Sequence, residues 1–211
     1  MKVLLCHNFY QQPGGEDVCF HQEAELLEAR GHTVMKYTRH NDDIHKMSAF
    51  SLARQTLWSK RTYVEIRELI ELHQPDVMHC TNTFPLISPA VYSAARDGGV
   101  PVVQALHNYR LLCPKATFLR DGSVCEKCLG KSFAWPGIWH ACYRESRSAS
   151  GMVALLLASQ RLRKTWLRQV DVFYALTQFA KEKFIEGGLP AARMRIKPNF
   201  ITPDPGFAAG E

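Results

Sequence analysis

The stretch KVLLCHNFYQQPGGEDV, residues Lys2–Val18, places a strand signal, a glycine loop and the start of a helix in direct succession. Its first part, Lys2–Cys6, is a continuous apolar run of the kind found in strands that are covered on both faces. The Pro-Gly-Gly sequence at 13–15 predicts a loop. Apolar residues then recur at helical spacing from Glu16 to Arg30. Strand, loop and helix in this order form the repeating unit of a parallel α/β sheet.

The same unit recurs along the rest of the chain. Because alternating strands and helices connect by right-handed crossovers, residues 1–200 are expected to form a doubly wound, mostly parallel, Rossmann-like α/β sheet. One long irregular stretch, residues 108–150, is predicted to be an insertion, and we call it the cysteine-rich segment. The further predicted strands are His32–Thr38, Asp76–Cys80, Pro101–Leu106, Asp171–Ala175 and Arg195–Lys197, and the further helices are Ser48–His73, Pro89–Arg96, Gly151–Val170 and Gln178–Glu186.

The composition is that of an ordinary globular protein. Of the 211 residues, 46% are hydrophobic and 22% are charged, which excludes collagen-like, coiled-coil and wholly disordered chains. No apolar run approaches the roughly 18 residues that a membrane span needs. The net charge of +6 favours an anionic partner: nucleic acid, an anionic membrane surface or a phosphorylated small molecule. Nucleic acid is disfavoured because no helix-turn-helix, RNP or basic-zipper pattern accompanies the charge.

The cysteines give the most specific local signal. Their number, seven, is odd, and without a recognisable export signal it indicates reduced thiols in a cytoplasmic protein. A C-x-x-C pair with one further cysteine on either side matches a tetrahedral structural zinc site, for which His140 is a competing ligand. A redox C-x-x-C is disfavoured because a turn precedes it, and free thiols are the other alternative. The candidate zinc ligands are Cys113, Cys125, Cys128 and Cys142, whereas Cys6, Cys19 and Cys80 are predicted to be core residues.

The residues that follow the predicted strands are the candidate site residues, because ligands of doubly wound sheets bind outside the carboxyl ends of the strands. His107 ends the fourth strand, where an imidazole can hydrogen-bond a sugar hydroxyl or share charge in a transition state. A structural histidine is the alternative. Thr81 and Asn82 follow the third strand, and His7 follows the first as a second wall of the same cleft.

Two further features are weaker. Gly14 and Gly15 precede a helix, so their backbone N–H groups can approach a phosphate, although the GxGxxG spacing of a dinucleotide fingerprint is missing and a plain turn is the alternative. Arg161, Lys164 and Arg168 are predicted to lie on one side of a helix. That basic side either contacts an anionic membrane or simply faces water.

In order along the chain, HNFYQQPGGEDV, HNYRLLCP, FLRDGSVCEKCLGKS, CYRESRSAS and RIKPNF resemble the N-terminal domain of family 4 glycosyltransferases. The resemblance covers essentially the whole chain and implies one half of a GT-B fold, in which two Rossmann-like domains face each other across a cleft. It implies transfer of a sugar from a nucleotide-sugar to a hydroxyl acceptor with retained anomeric configuration and without a catalytic metal. Polysaccharide or lipid-linked glycan synthesis is the expected setting.

The resemblance also implies roles for single residues. Gly14 and Gly15 match the glycine loop that approaches the donor phosphates, and Glu16 is expected to help orient the cleft. His107 matches the histidine near the reacting sugar and is the candidate catalytic residue. The expected acceptor-side residues are His7, Thr81, Asn82 and Asn108.

The resemblance breaks off near the end of the sequence. Residues 201–211 are expected to begin an interdomain linker, and the C-terminal domain that supplies most donor contacts in the family is absent from the sequence. The chain is therefore expected to be inactive alone. The alternative is a stand-alone zinc-bearing α/β module that docks a membrane or a protein partner.

Overall fold

A computed structural model describes residues 1–201 and Gly206, and it contains one six-stranded parallel sheet in the order β2-β1-β3-β4-β7-β8. The strands β5 and β6 form a separate two-residue hairpin. The bounds are β1 Lys2–Phe9, β2 Thr33–His40, β3 Val77–Cys80, β4 Val102–Leu106, β5 Leu119–Arg120, β6 Ser123–Val124, β7 Val172–Ala175 and β8 Met194–Ile196.

Eight α-helices accompany these strands in the described residues, together with the short 3-10 helices Asn41–Lys46 and Ala191–Arg193. None of the described helices has the length and apolar character that crossing a bilayer requires. The helices are α1 Gly15–Ala29, α2 Ala49–Leu57, α3 Lys60–His73, α4 Ala90–Asp97, α5 Trp135–Trp139, α6 Arg147–Leu162, α7 Thr165–Gln169 and α8 Gln178–Glu186.

Strand β1 shows why the sheet is covered on both faces. Its successive side chains point to opposite faces, as in any strand. Val3 and Leu5 pack against Phe20 and Ala24 of α1, whereas Leu4 and Cys6 belong to the larger core cluster on the other face. The predicted doubly wound, Rossmann-like sheet is thus confirmed.

The strand order fixes where a ligand can bind. β1 is paired in parallel with β2 on one side and with β3 on the other, so the direction of winding reverses between β1 and β3. In such sheets, ligands bind outside the carboxyl ends of the strands near this point of reversal.

Two predicted long helices are each divided. The pattern over 48–73 forms α2 and α3, because the Ser59 hydroxyl accepts a hydrogen bond from the Thr62 amide at 3.1 Å and starts a new helix. The pattern over 151–170 starts earlier, at Arg147, and stops at Leu162. Lys164 then adopts a left-handed conformation with φ of 54° before α7 begins.

The break at Lys164 changes the predicted basic face. Arg161 belongs to α6 and donates hydrogen bonds to the backbone oxygens of Lys131 and Leu111, while Arg168 belongs to α7. The three cations therefore do not share one continuous helical face, and the prediction that they do is wrong.

The predictions for the remaining cysteines and the linker can also be placed. Cys6, Cys19 and Cys80 are 0%, 8% and 0% exposed, which confirms them as core residues. Apart from Ile201 and Gly206, the predicted linker at 201–211 lies outside the described residues.

Candidate functional site

A crevice with a volume of about 50 Å³ lies at the carboxyl ends of β3 and β4. Thr81 and Asn82 line it from the end of β3, His107 and Asn108 line it from the end of β4, and Tyr10 lines it from the loop after β1. Four of the predicted site residues are thus brought together by the parallel sheet. The strands supply rigid supports, and the loops supply the side chains.

His107 is the residue in this crevice with unused hydrogen-bonding capacity. Its Nε2 atom is buried and has no hydrogen-bond partner among the residues that the structure describes. Burial lowers the pKa of His107 to about 4, so the imidazole is neutral near pH 7. A neutral imidazole with a free ring nitrogen at a strand end is suited to pair with a hydroxyl or a developing charge on a ligand.

Glu16 connects the glycine loop to the loop after β4. Its carboxylate accepts a hydrogen bond from the Tyr10 hydroxyl at 2.8 Å and one from the Asn108 amide at 2.5 Å. Burial raises the pKa of Glu16, although these two donors oppose the shift. The predicted role of Glu16 in orienting the cleft therefore has a structural counterpart: it ties Asn108, next to His107, to the start of α1.

The glycine loop is held by Asp17 and leaves room around Gly15. The Asp17 carboxylate accepts a hydrogen bond from the Gly14 amide at 2.9 Å, so that amide is already used. A Cβ atom added to Gly15 would meet no atom within 4 Å, and Gly15 has no positive φ. Neither the backbone conformation nor the packing of the described fold requires glycine at position 15. Close approach of a ligand to the backbone would explain a glycine there.

His7 does not line the crevice as predicted. It is 0% exposed, and its two ring nitrogens lie 2.6 Å from the Thr81 hydroxyl and 2.7 Å from the Asp17 carboxylate. The prediction was wrong because β1 continues to Phe9, so His7 lies inside the strand instead of at its end. Its ring stacks on Phe20 beneath α1.

Thr81 and Asn82 line the crevice but use their polar atoms elsewhere. The Thr81 hydroxyl contacts His7, and the Asn82 amide donates to the backbone oxygen of Asn8 at 2.7 Å. The Asn82 side-chain oxygen accepts from the Phe84 amide at 3.0 Å. Thr81 and Asn82 stabilise the loop after β3. Their polar groups are used within the protein, so fewer of them are free to bind a ligand than the sequence indicated.

Sequence patterns missed a buried polar cluster beneath His107. The Glu23 carboxylate, on a residue only 5% exposed, contacts the Lys197 ammonium and accepts a hydrogen bond from the Tyr174 hydroxyl at 2.9 Å. His79 Nδ1 lies 3.3 Å from the same carboxylate. Burial opposes ionisation of Glu23, but His79 and Lys197 outweigh it and lower its pKa below the ordinary value. The sequence indicates this cluster only through Glu23, a glutamate that lies among the apolar residues on the buried side of α1.

Arg110 is a second missed residue. It lines the crevice, and its guanidinium lies 4.8 Å from the centre of the Phe84 ring and 4.9 Å from that of Tyr143. This stacking holds a cation beside Asn108 and Glu16. The crevice thus combines a fixed cation and a neutral histidine, and its wall residue Asn108 is hydrogen-bonded to the half-buried Glu16 carboxyl group.

Several solved structures resemble this fold, including the following two. The UDP-GlcNAc 2-epimerase from Neisseria meningitidis, bound to UDP-GlcNAc, matches 94% of this chain with a TM-score of 0.51 and 11% identity. The complex of S. aureus MnaA with UDP matches 94% of the chain with a TM-score of 0.50 and 13% identity. The chain covers 46% and 44% of those two chains, respectively, so it spans less than half their length. At such low identity the likeness shows the fold alone.

A search of curated proteins gives no significant match. The family model of Glycosyltransferase Family 4, in contrast, matches residues 13–205. That range runs from the glycine loop, through the crevice and the cysteine-rich segment, to the residues after β8. The resemblance that the sequence motifs indicated is confirmed, and the chain belongs to glycosyltransferase family 4.

Proposed function

We propose that this chain forms the acceptor-side half of a retaining glycosyltransferase, which transfers a sugar from a nucleotide-sugar to a hydroxyl of a growing polysaccharide or lipid-linked glycan. The observation that carries the proposal is the buried Nε2 atom of His107 at the end of β4, which has no hydrogen-bond partner within residues 1–201. Both structural relatives were solved with a uridine nucleotide or nucleotide-sugar, which supports a donor of this kind.

In this proposal His107 binds the donor sugar. Because its imidazole is neutral, Nε2 forms a hydrogen bond with a sugar hydroxyl without introducing a second positive charge beside the developing oxocarbenium ion. Glu16 and Asn108 keep the loop that carries His107 in register with the glycine loop. No metal takes part in the transfer step.

The same proposal assigns the donor diphosphate to the start of α1 and the acceptor to the crevice wall. The first-turn amides of a helix favour anions, and the open space at Gly15 admits close approach. The acceptor hydroxyl enters beside Asn108 and Arg110, which face the crevice from the loop after β4.

The first test replaces His107 by alanine in the complete gene product that carries this chain. We expect nucleotide-sugar-dependent transfer to fall by about 10²-fold to 10⁴-fold, the range for loss of a catalytic group. Release of nucleoside diphosphate from a panel of nucleotide-sugars, with cell-derived glycan acceptors, measures this activity. His45→Ala, which changes an exposed histidine, is the matched control. Transfer by a folded His107→Ala variant at the control rate would refute the proposal.

The second test replaces Gly15 by alanine in the same protein. Because a Cβ atom fits there without contact, the midpoint of urea unfolding should shift no more than that of Val18→Ala, an exposed position in the same helical turn. We expect KM for the nucleotide-sugar to rise about tenfold, which corresponds to roughly 1.4 kcal/mol of lost donor binding. An unchanged KM would remove the glycine loop from the donor site while leaving the role of His107 standing.

A further inference from the structure

We propose that the cysteine-rich segment binds one zinc ion through four thiolates, as a structural site separate from the transfer chemistry. The four candidate ligands line one small cavity with a volume of about 10 Å³. All four are free cysteines, so no disulfide among the described residues competes for them. They are Cys113, Cys125, Cys128 and Cys142.

The cysteines reach this cavity from different turns, each fixed by a backbone hydrogen bond. The Cys113 amide donates to the Tyr109 oxygen at 2.8 Å, in a turn that directly follows His107 and Asn108. The Cys125 amide donates to the Phe118 oxygen at 2.7 Å, and the Cys142 amide donates to the Gly137 oxygen at 2.9 Å. Turns that are separate in sequence thus bring the four cysteines to the wall of one cavity, the arrangement from which a zinc knuckle is built.

The cavity is small, as a closed tetrahedral site requires. Zinc binds thiolate sulfur at about 2.3 Å and leaves no space for water in a structural site. In the arrangement that the described residues adopt, no three His, Cys, Asp or Glu side chains are close enough to hold a metal ion. Zinc binding therefore requires the four thiols that line the cavity to move closer together.

The backbone of the cysteine-rich segment holds many residues in left-handed conformations, although the segment has little regular secondary structure. It contains a hairpin with two-residue strands and the five-residue helix α5. Six of the nine non-glycine residues with positive φ in the described chain fall between 116 and 145. Such conformations cost about 1–3 kcal/mol each and persist only where the surroundings impose them. They are Ala116, Phe118, Asp121, Ala141, Arg144 and Glu145.

The segment packs into the main core through Leu112, Cys113 and Phe118, but the part around Cys128 has little apolar core of its own. The local cluster of buried residues contains only Cys128, Ala134 and Ala154, with Ile138 packed against it. A structural zinc ion supplies binding free energy that serves as folding free energy, and it replaces the missing core.

The charges around the cavity suit a thiolate complex. Binding of Zn²⁺ releases one proton from each of four thiols and leaves a complex with a net charge of −2. Lys115, Arg120 and Lys127 line the same cavity and offset that charge. Arg120 Nη1 also lies 2.6 Å from His140 Nδ1, which holds the imidazole against the arginine and favours the four cysteines as the ligand set.

Elemental analysis tests the proposal on protein purified without chelator and without nickel affinity resin. We expect about one zinc per chain in the wild type and less than a fifth of that in Cys125→Ser/Cys128→Ser, a double variant of the C-x-x-C pair. Cys19→Ser, which changes a buried cysteine of α1, is the control and should keep its zinc.

A second measurement covers the case in which the double variant fails to fold. Wild-type protein is exchanged into Co²⁺, and we expect intense thiolate-to-cobalt absorption together with the visible bands of a tetrahedral complex. The same spectrum in His140→Ala supports four sulfur ligands. Folded wild-type protein without zinc and without the cobalt spectrum would overturn the proposal, as would a mapped disulfide between any two of the four cysteines.

Discussion

Glu23→Ala is expected to lower the free energy of unfolding by about 1–3 kcal/mol, because the buried Tyr174 hydroxyl loses its hydrogen-bond partner and the half-exposed Lys197 loses its ion pair. The Glu23 carboxylate is the shared acceptor for Lys197 from the residues after β8 and for Tyr174 from β7, and His79 from β3 lies beside it. Its removal leaves the buried Tyr174 hydroxyl without this acceptor and the half-exposed Lys197 ammonium without its counter-ion, at the carboxyl ends of the strands.

Urea unfolding of Glu23→Ala, compared with Glu25→Ala, measures this effect. Glu25 lies on the same helix but is exposed, so its replacement should change the free energy of unfolding by no more than about 0.5 kcal/mol. A conservative variant, Glu23→Gln, retains an acceptor for Tyr174 but not the charge opposite Lys197, and it should fall between the two. Equal stability of the Glu23 and Glu25 variants would contradict the role assigned to the cluster.

The parallel sheet was predictable because its signals are local. β7 is a continuous apolar run, β1 begins with one after Lys2, and β4 is interrupted only by Gln104; the predicted starts of all three strands lie within one residue of the observed ones. The divided helix at Ser59 was missed because the apolar spacing continues across it. The Ser59 hydroxyl caps a new helix, and a prediction from apolar periodicity alone does not detect such a cap.

The site was predictable only where strand ends determine it. His107 and Asn108 follow β4 directly, and the topology rule places them in the crevice. The partner of Asn108 is Glu16, which is 92 positions away in sequence, and no periodic pattern indicates such a contact. His7 was misplaced for a related reason: three more residues of β1 moved it from a strand end to a buried position.

Asp17→Ala is expected to lower the free energy of unfolding by about 2–4 kcal/mol, because each buried group that loses its partner costs roughly 1–3 kcal/mol. Asp17 is 5% exposed and accepts hydrogen bonds from His7 Nε2 and from the Gly14 amide. Burial lowers the pKa of His7 despite Asp17, so the ring is neutral: Nε2 donates to Asp17, and Nδ1 accepts from the Thr81 hydroxyl. One carboxylate therefore fixes the glycine loop, β1 and the end of β3 together.

Chemical unfolding of Asp17→Ala and Asp17→Asn separates this role from a general loss of charge. Asparagine keeps one oxygen that accepts from His7, so Asp17→Asn should lose about half as much free energy of unfolding. Because the Gly14 amide is released in both variants, donor KM should rise in both, whereas His45→Ala should change neither quantity. A loss below about 0.5 kcal/mol in Asp17→Ala, within the range of surface substitutions, would mean that the glycine loop is held by other contacts and that Asp17 does not organise the site.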